Sequence, residues 1–215
     1  MAEASSTRLT TNRNLTVADY AITLAPWAAY IIGTHAIGSW EYGFIIGSFC
    51  AAAIVVKEIV TRQSRFMDLG TLVFCLLMTT FAVVDFNSTM NAYLKTYNLP
   101  ISLAFIGLLA SLSIVIGSPF TYRCHRDHLP HSVLHNPETN SLILSNHVSA
   151  TAVWATSELV AGAISALLIL NRHASYAVVV QLIGTLIPIG FTQRTHHKIH
   201  THPTVSPHLV GASGA

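Results

Sequence analysis

Apolar residues run through this chain in long blocks, with polar residues gathered in short breaks between them. A bilayer hydrocarbon core is about 30 Å thick, so a helix that crosses it needs roughly 20 mostly apolar residues. Six blocks approach that length: Tyr20–Gly38, Gly43–Lys57, Leu69–Val84, Ile101–Phe120, Val148–Leu170 and Ala174–Thr192. The second and third are short, and Trp40, Tyr42 and Phe66 extend them at the interface. Backbone groups in lipid must bond within their own segment, which makes each block a helix. The expected fold class is therefore all-α: a polytopic integral membrane bundle of about six transmembrane helices.

Charge orders these helices across a membrane. Of the eleven Lys and Arg residues, alternation of six spans sends nine to one side: Arg8, Arg13, Lys57, Arg62, Arg65, Arg123, Arg126, Arg194 and Lys198. Lys95 and Arg172 stay on the other side. Such an excess marks the cytosolic face, so both termini are expected in the cytosol. The organisation that follows is a polar N-terminal tail (1–17), a six-helix transmembrane domain (18–193) and a His-rich, disordered cytosolic tail (194–215). A cytosolic His-rich loop (121–146) interrupts the domain. The first apolar run is long and is followed by more of the same, so it reads as a first span and not as a cleaved signal.

The chain is 52% hydrophobic and only 9% charged, too few charges for a water-facing surface of this size. Its formal net charge of +2 is scattered, which excludes nucleic acid as a partner. The expected surroundings are the lipid bilayer, with other membrane proteins or a lipophilic small molecule as further partners. Cys50, Cys75 and Cys124 form no CxxC pair and read as small buried hydrophobes. Pro100 is placed to open the fourth span and Pro119 to end it, whereas Pro188 predicts a kink in the sixth. Gly107, Ala161, Gly162 and Gly184 allow close helix contact. Asn14 and Asn87 begin glycosylation-type triplets, but one falls on the cytosolic side and the other against the membrane edge.

Glu158 is the exceptional residue. It sits in the middle of the fifth span, where a carboxylate is expensive. Thr151, Glu158 and Ser165 are seven apart and share a helix face, with Trp154 and Gly162 beside it. Gln181, Thr185, Pro188 and Thr192 form a matching stripe on the sixth span. Counted from the hairpin at Asn171-Arg172-His173, Glu158 lies about 20 Å deep. Thr185 lies at nearly the same level and Gln181 one turn shallower, which makes Thr185 the nearer partner. Glu158 reads either as a protonated carboxyl hydrogen-bonded to a neighbour and joining two helices, or as a proton-relay, ion-path or acid-catalyst group. Glu158, Thr185 and Gln181 are the candidate catalytic residues. Asp68, Asp85, Glu41 and Glu58 fall at span ends and read as solvated caps or interfacial charges. His35 reads as interfacial.

Histidine is the second anomaly. Of twelve in the chain, His125, His128, His131, His135 and His147 lie in or beside the loop. His196, His197, His200, His202 and His208 lie in the tail. Both groups belong to the same membrane face under the six-span topology. One reading is solvated or interfacial histidines. The other starts from neutral imidazole as the commonest metal ligand, with His131, His135, His196, His197 and His200 the candidate set for iron, copper or zinc. The spacing HRDHLPHSVLH follows no zinc or di-iron pattern, and Pro130 interrupts a single helix there.

Ser118-Pro-Phe-Thr-Tyr-Arg after an apolar helix, the prolines of LPHSVLHNP, and Thr151-Ala-Val-Trp154 opening the next helix resemble small bacterial multi-pass proteins similar to the intracellular septation protein A group. The resemblance covers about two thirds of the chain. It implies an accessory membrane protein associated with envelope synthesis or division, with no catalytic residues to carry over. Pro119, Phe120, Thr121, Tyr122 and Trp154 are the matching positions, and on their own they read as a helix end and an interfacial aromatic anchor. The His-rich loop departs from that pattern.

Whether the chain is an enzyme stays open at this level. The first expectation is an accessory or scaffold protein. The alternatives are a membrane-embedded enzyme on a lipid-soluble substrate, either a cyclase or isomerase with Glu158 as general acid, or a His-rich metal-dependent oxidoreductase. A transporter is a further class, disfavoured by the absence of an internal repeat.

Overall fold

The computed structural model describes residues 21–34, 36–61, 66–84, 88–126, 129 and 131–201, without the side chains of 131, 132 and 200. Residues expected in the N-terminal tail, the glycosylation-type triplet at Asn14, the start of the Asn87 triplet, His35, Asp85, His128 and the tail from 202 lie outside the described residues, as does most of the basic break at 62–65.

Among the described residues the chain is entirely helical: α1 (Ala21–Thr34), α2 (Trp40–Thr61), α3 (Phe66–Val83), α4 (Ser88–Val115), α5 (Phe120–Arg126), α6 (His131–His135), α7 (Pro137–Leu170) and α8 (Ala174–Thr201). Five of these, α2, α3, α4, α7 and α8, are long and apolar enough to cross a membrane. α1 is apolar and shorter. The helices carry their large hydrophobics outward: Val160, Leu167 and Leu170 on α7 and Leu182, Leu186 and Ile187 on α8 are exposed. Buried positions on α7 include Thr139, His147, Thr151, Glu158 and Ser165. An apolar exterior over a partly polar seam suits lipid as the solvent.

The chain divides into two compact units. The first in sequence runs to Ser102, and its core is aromatic. Tyr30 stacks on Phe44 at 4.3 Å, Phe44 meets Phe74 edge-on at 5.9 Å, and Trp27 lies 5.6 Å from Phe74. Gly43 and Gly47 permit this approach, since a Cβ at Gly43 would fall 2.8 Å from the Tyr30 carbonyl. The Tyr30 hydroxyl donates to Asn98 Oδ1. Two expectations change in this unit. Glu58 and Asp68 are buried at 7% and 3% exposure, inside the fold and not solvated at its rim. Pro100 lies inside α4, which begins twelve residues earlier at Ser88. The turn is braced by side chains, with Asn98 Nδ2 donating to Lys95 O and Ser102 Oγ to Asn98 O.

The second unit comprises the C-terminal part of α4 from Leu103 together with α5 to α8. α4 stops through Gly117, whose φ of +75° suits glycine, with Ser118 N donating to Ser113 O. Pro119 therefore introduces α5. α7 starts on a strong cap: Asn136 Oδ1 accepts from Glu138 N and Thr139 N, and Pro137 occupies the first turn. The α7–α8 hairpin turns at Arg172, held at φ +62° with its N–H on Ile169 O.

α8 does not stop at Thr192. It continues to Thr201, so residues 194–201 of the expected disordered tail are helical. The reason is burial on one face: Thr192, Thr195 and Ile199 are enclosed, and Ile199 packs with Leu129, Val133 and Ile143. The expected loop 121–146 is likewise structured by α5, α6 and the first turns of α7.

Candidate metal centre at the end of the hairpin

α7 and α8 exceed the thickness of a bilayer core, since 34 and 28 residues correspond to about 51 and 42 Å. Beyond the span the two helices run on together, and α5 lies against this extension. Thr121 fixes α5 there. Its hydroxyl donates to His147 O at 3.0 Å, and Thr151 Oγ1 lies 2.8 Å from it, on a second hydrogen bond. Because Thr121 has one proton to give, Thr151 is the donor in the second bond.

One turn further along α5, His125 meets His147 of α7 and His196 of α8. His125 Nδ1 lies 2.9 Å from His147 Nε2. The ring centroids are 4.3 Å apart for His125 and His196 and 5.2 Å for His147 and His196. One nitrogen of each ring falls within 4.8 Å of the others. His125 and His147 are 1% and 0% exposed, and His196 is half-buried. His147 Nδ1 is buried without a hydrogen-bond partner. The Tyr122 ring stands edge-on to His147 at 6.0 Å, and its hydroxyl donates to Asn140 Oδ1 at 2.7 Å. Burial raises the Tyr122 phenol above its usual pKa, with Arg126 and the Asn140 bond acting against the shift.

Three imidazoles are a donor set suited to a transition-metal ion. A tetrahedral zinc ion sits about 2.0–2.1 Å from each nitrogen and leaves a fourth position for another ligand. His147 turns Nε2 toward His125, and leaving Nδ1 buried without a partner costs about 1–3 kcal/mol.

The same hairpin carries the carboxylate. Thr185 Oγ1 donates to Glu158 Oε1 at 3.2 Å, the pairing that depth counting predicts. Glu158 is 1% exposed, and Oε2 has no partner. Gln181 is half-buried one turn nearer the hairpin. Just beside this level Ser157 Oγ donates to Gly184 O at 2.7 Å. That carbonyl would otherwise pair with residue 188, a proline without an N–H. Trp154 is 2% exposed and its Nε1 donates to Thr192 Oγ1 at 3.0 Å, so it is a packed link between helices and not an interfacial anchor. An open apolar groove of about 560 Å³ lies along the hairpin between residues such as Val153, Val160, Ile183 and Ile187. Ser157, Ala161 and Gly184 line it, and Glu158 does not.

Of the five histidines proposed from sequence as ligands, His196 alone belongs to the triad. His135 and His197 are exposed, and the side chains of His131 and His200 lie outside the described residues. His125 and His147 complete the set. A sequence signal for His147 existed. It lies one turn before Thr151 on the same stripe as Glu158, and it is 24 residues before Asn171, while His196 is 23 after His173. Depth counting places those two at one level, about 35 Å from the turn.

No known protein-family model, curated protein or solved structure matches the chain.

Proposed function

We propose that this chain is a multi-pass membrane protein that binds one transition-metal ion through His125, His147 and His196. The observation that carries the reading is the convergence of three ring nitrogens within 4.8 Å, two of them on nearly inaccessible side chains. The helix lengths support a centre just past the hydrocarbon core. In the six-span topology that face also holds the larger share of Lys and Arg, which supports a cytosolic face with both termini there. The ion would be held by neutral imidazoles from three separate helices, so metal binding also ties α5 to the hairpin.

Purified protein in detergent, stripped with chelator and titrated with Zn²⁺ or Co²⁺, should bind about one ion per chain. His147→Ala and His196→Ala should each weaken binding by at least about tenfold, the scale on which disturbed metal sites lose affinity. Unchanged binding in both variants, or no binding by the native chain, would remove the reading. The accessory role implied by the septation-protein resemblance would then stand as the better description.

A further inference from the structure

From the α7–α8 seam we infer that the ion bound by the triad is cargo, and that its route through the membrane runs along this seam past Glu158. The inference rests on the metal-binding reading above and extends it from a resident ion to a transported divalent cation.

Three independent observations point this way. The first is the character of the triad. Metal-ligating histidines that hold a resident ion almost always fix their second nitrogen on a carboxylate, a carbonyl or water, but His147 Nδ1 has no partner. Loss of such a partner typically weakens the hold on an ion by about 10–100-fold, the direction that a site releasing its cargo requires.

The second is Glu158. Its carboxyl is 1% exposed at mid-span, with Oε2 unpartnered. α7 contains no Lys or Arg, and on α8 the nearest, Arg194, lies nine residues beyond Thr185. Ion pathways are among the roles that an intramembrane carboxyl marks, and here no basic side chain on the helix pair neutralises it.

The third is the material between the two. Thr151 and the Trp154–Thr192 pair lie on the buried faces of the hairpin, between the level of His147 and that of Glu158. Ser165 continues the stripe beyond Glu158 toward the turn. The outer face of the same hairpin is apolar. The distance from His147 to Glu158 along α7 is about 16 Å, too far for one site but spanned by the hydroxyls of Thr151 and Thr192. Pro188 and Gly184 weaken α8 at the Glu158 level, where the hairpin could part to pass an ion.

The test is cation uptake by proteoliposomes that contain the purified full chain and a trapped zinc-sensitive dye, with potassium and valinomycin clamping the potential. The native chain should admit Zn²⁺ well above the rate of protein-free vesicles. Glu158→Gln should lower the rate by at least about tenfold while binding at the triad stays within about twofold, and Glu158→Asp should restore part of the flux. Native protein that binds Zn²⁺ without admitting it would overturn the inference and leave the metal-binding reading intact. Full flux in Glu158→Gln would overturn the proposed route. Native protein that binds no Zn²⁺ would overturn both.

Discussion

Gly184→Ala tests how closely α7 and α8 must approach for the seam to exist. A methyl group at Gly184 would stand 2.6 Å from the Cβ of Ala161. Carbon atoms in contact prefer about 3.5–4.0 Å, and neither methyl can rotate away, so the helices must part by about 1 Å at this level. Two hydrogen bonds cross here: Ser157 to Gly184 O at 2.7 Å and Thr185 to Glu158 at 3.2 Å. Opening by that amount takes both beyond hydrogen-bonding distance. Overpacking of this kind costs about 1–3 kcal/mol, and each lost bond about 0.5–1.5 kcal/mol, for a total of about 2–6 kcal/mol. Reversible unfolding in detergent micelles would measure it. Moving the methyl instead of adding it, in the double variant Ala161→Gly with Gly184→Ala, should recover most of the loss. Stability within about 0.5 kcal/mol of native for Gly184→Ala alone would refute the close approach.

Further outcomes follow from individual contacts. Trp154→Phe removes the donor to Thr192 Oγ1 and should cost about 1 kcal/mol in the same unfolding assay. Arg172→Gly relieves a left-handed backbone at φ +62° and should stabilise the hairpin by about 1 kcal/mol; a loss instead would mean that the arginine side chain holds the turn. Metal binding should fall in acid, because protons compete for the ligand nitrogens; burial holds the His147 imidazole down at about 3, so its share of the loss falls well below the ordinary imidazole range. Isothermal titration at two pH values checks that sign, and a higher affinity at pH 5 than at 7.5 would argue against imidazole ligation.

Sequence alone carried the all-helical class and five helices long and apolar enough to cross a membrane, because long apolar runs in a chain with so few charges favour helices. It also carried the Glu158–Thr185 pair, since depth along an antiparallel hairpin is fixed by residue count. It misjudged where helices stop. α4 begins before its proline and α8 runs nine residues past Thr192, because capping and one-sided burial, as at Ile199 and Thr195, extend a helix into polar sequence. Trp154 looked interfacial because its position in the run says nothing of which way the ring faces. The triad was hardest to see. Its members come from α5, α7 and α8, and the clusters of neighbouring histidines drew attention to His131, His135, His197 and His200. Local density of a residue type carries less information than shared level and shared face. Counting depth for His147 and His196 would have paired them; only the packing of α5 through Thr121 adds His125.

Zinc-edge X-ray absorption on the metal-loaded protein addresses the triad most directly. A first shell with three imidazole nitrogens at about 2.0–2.1 Å, reduced to two in His125→Ala, is the expected result. A shell of oxygen alone, or one unchanged in that variant, would contradict the centre formed by α5, α7 and α8.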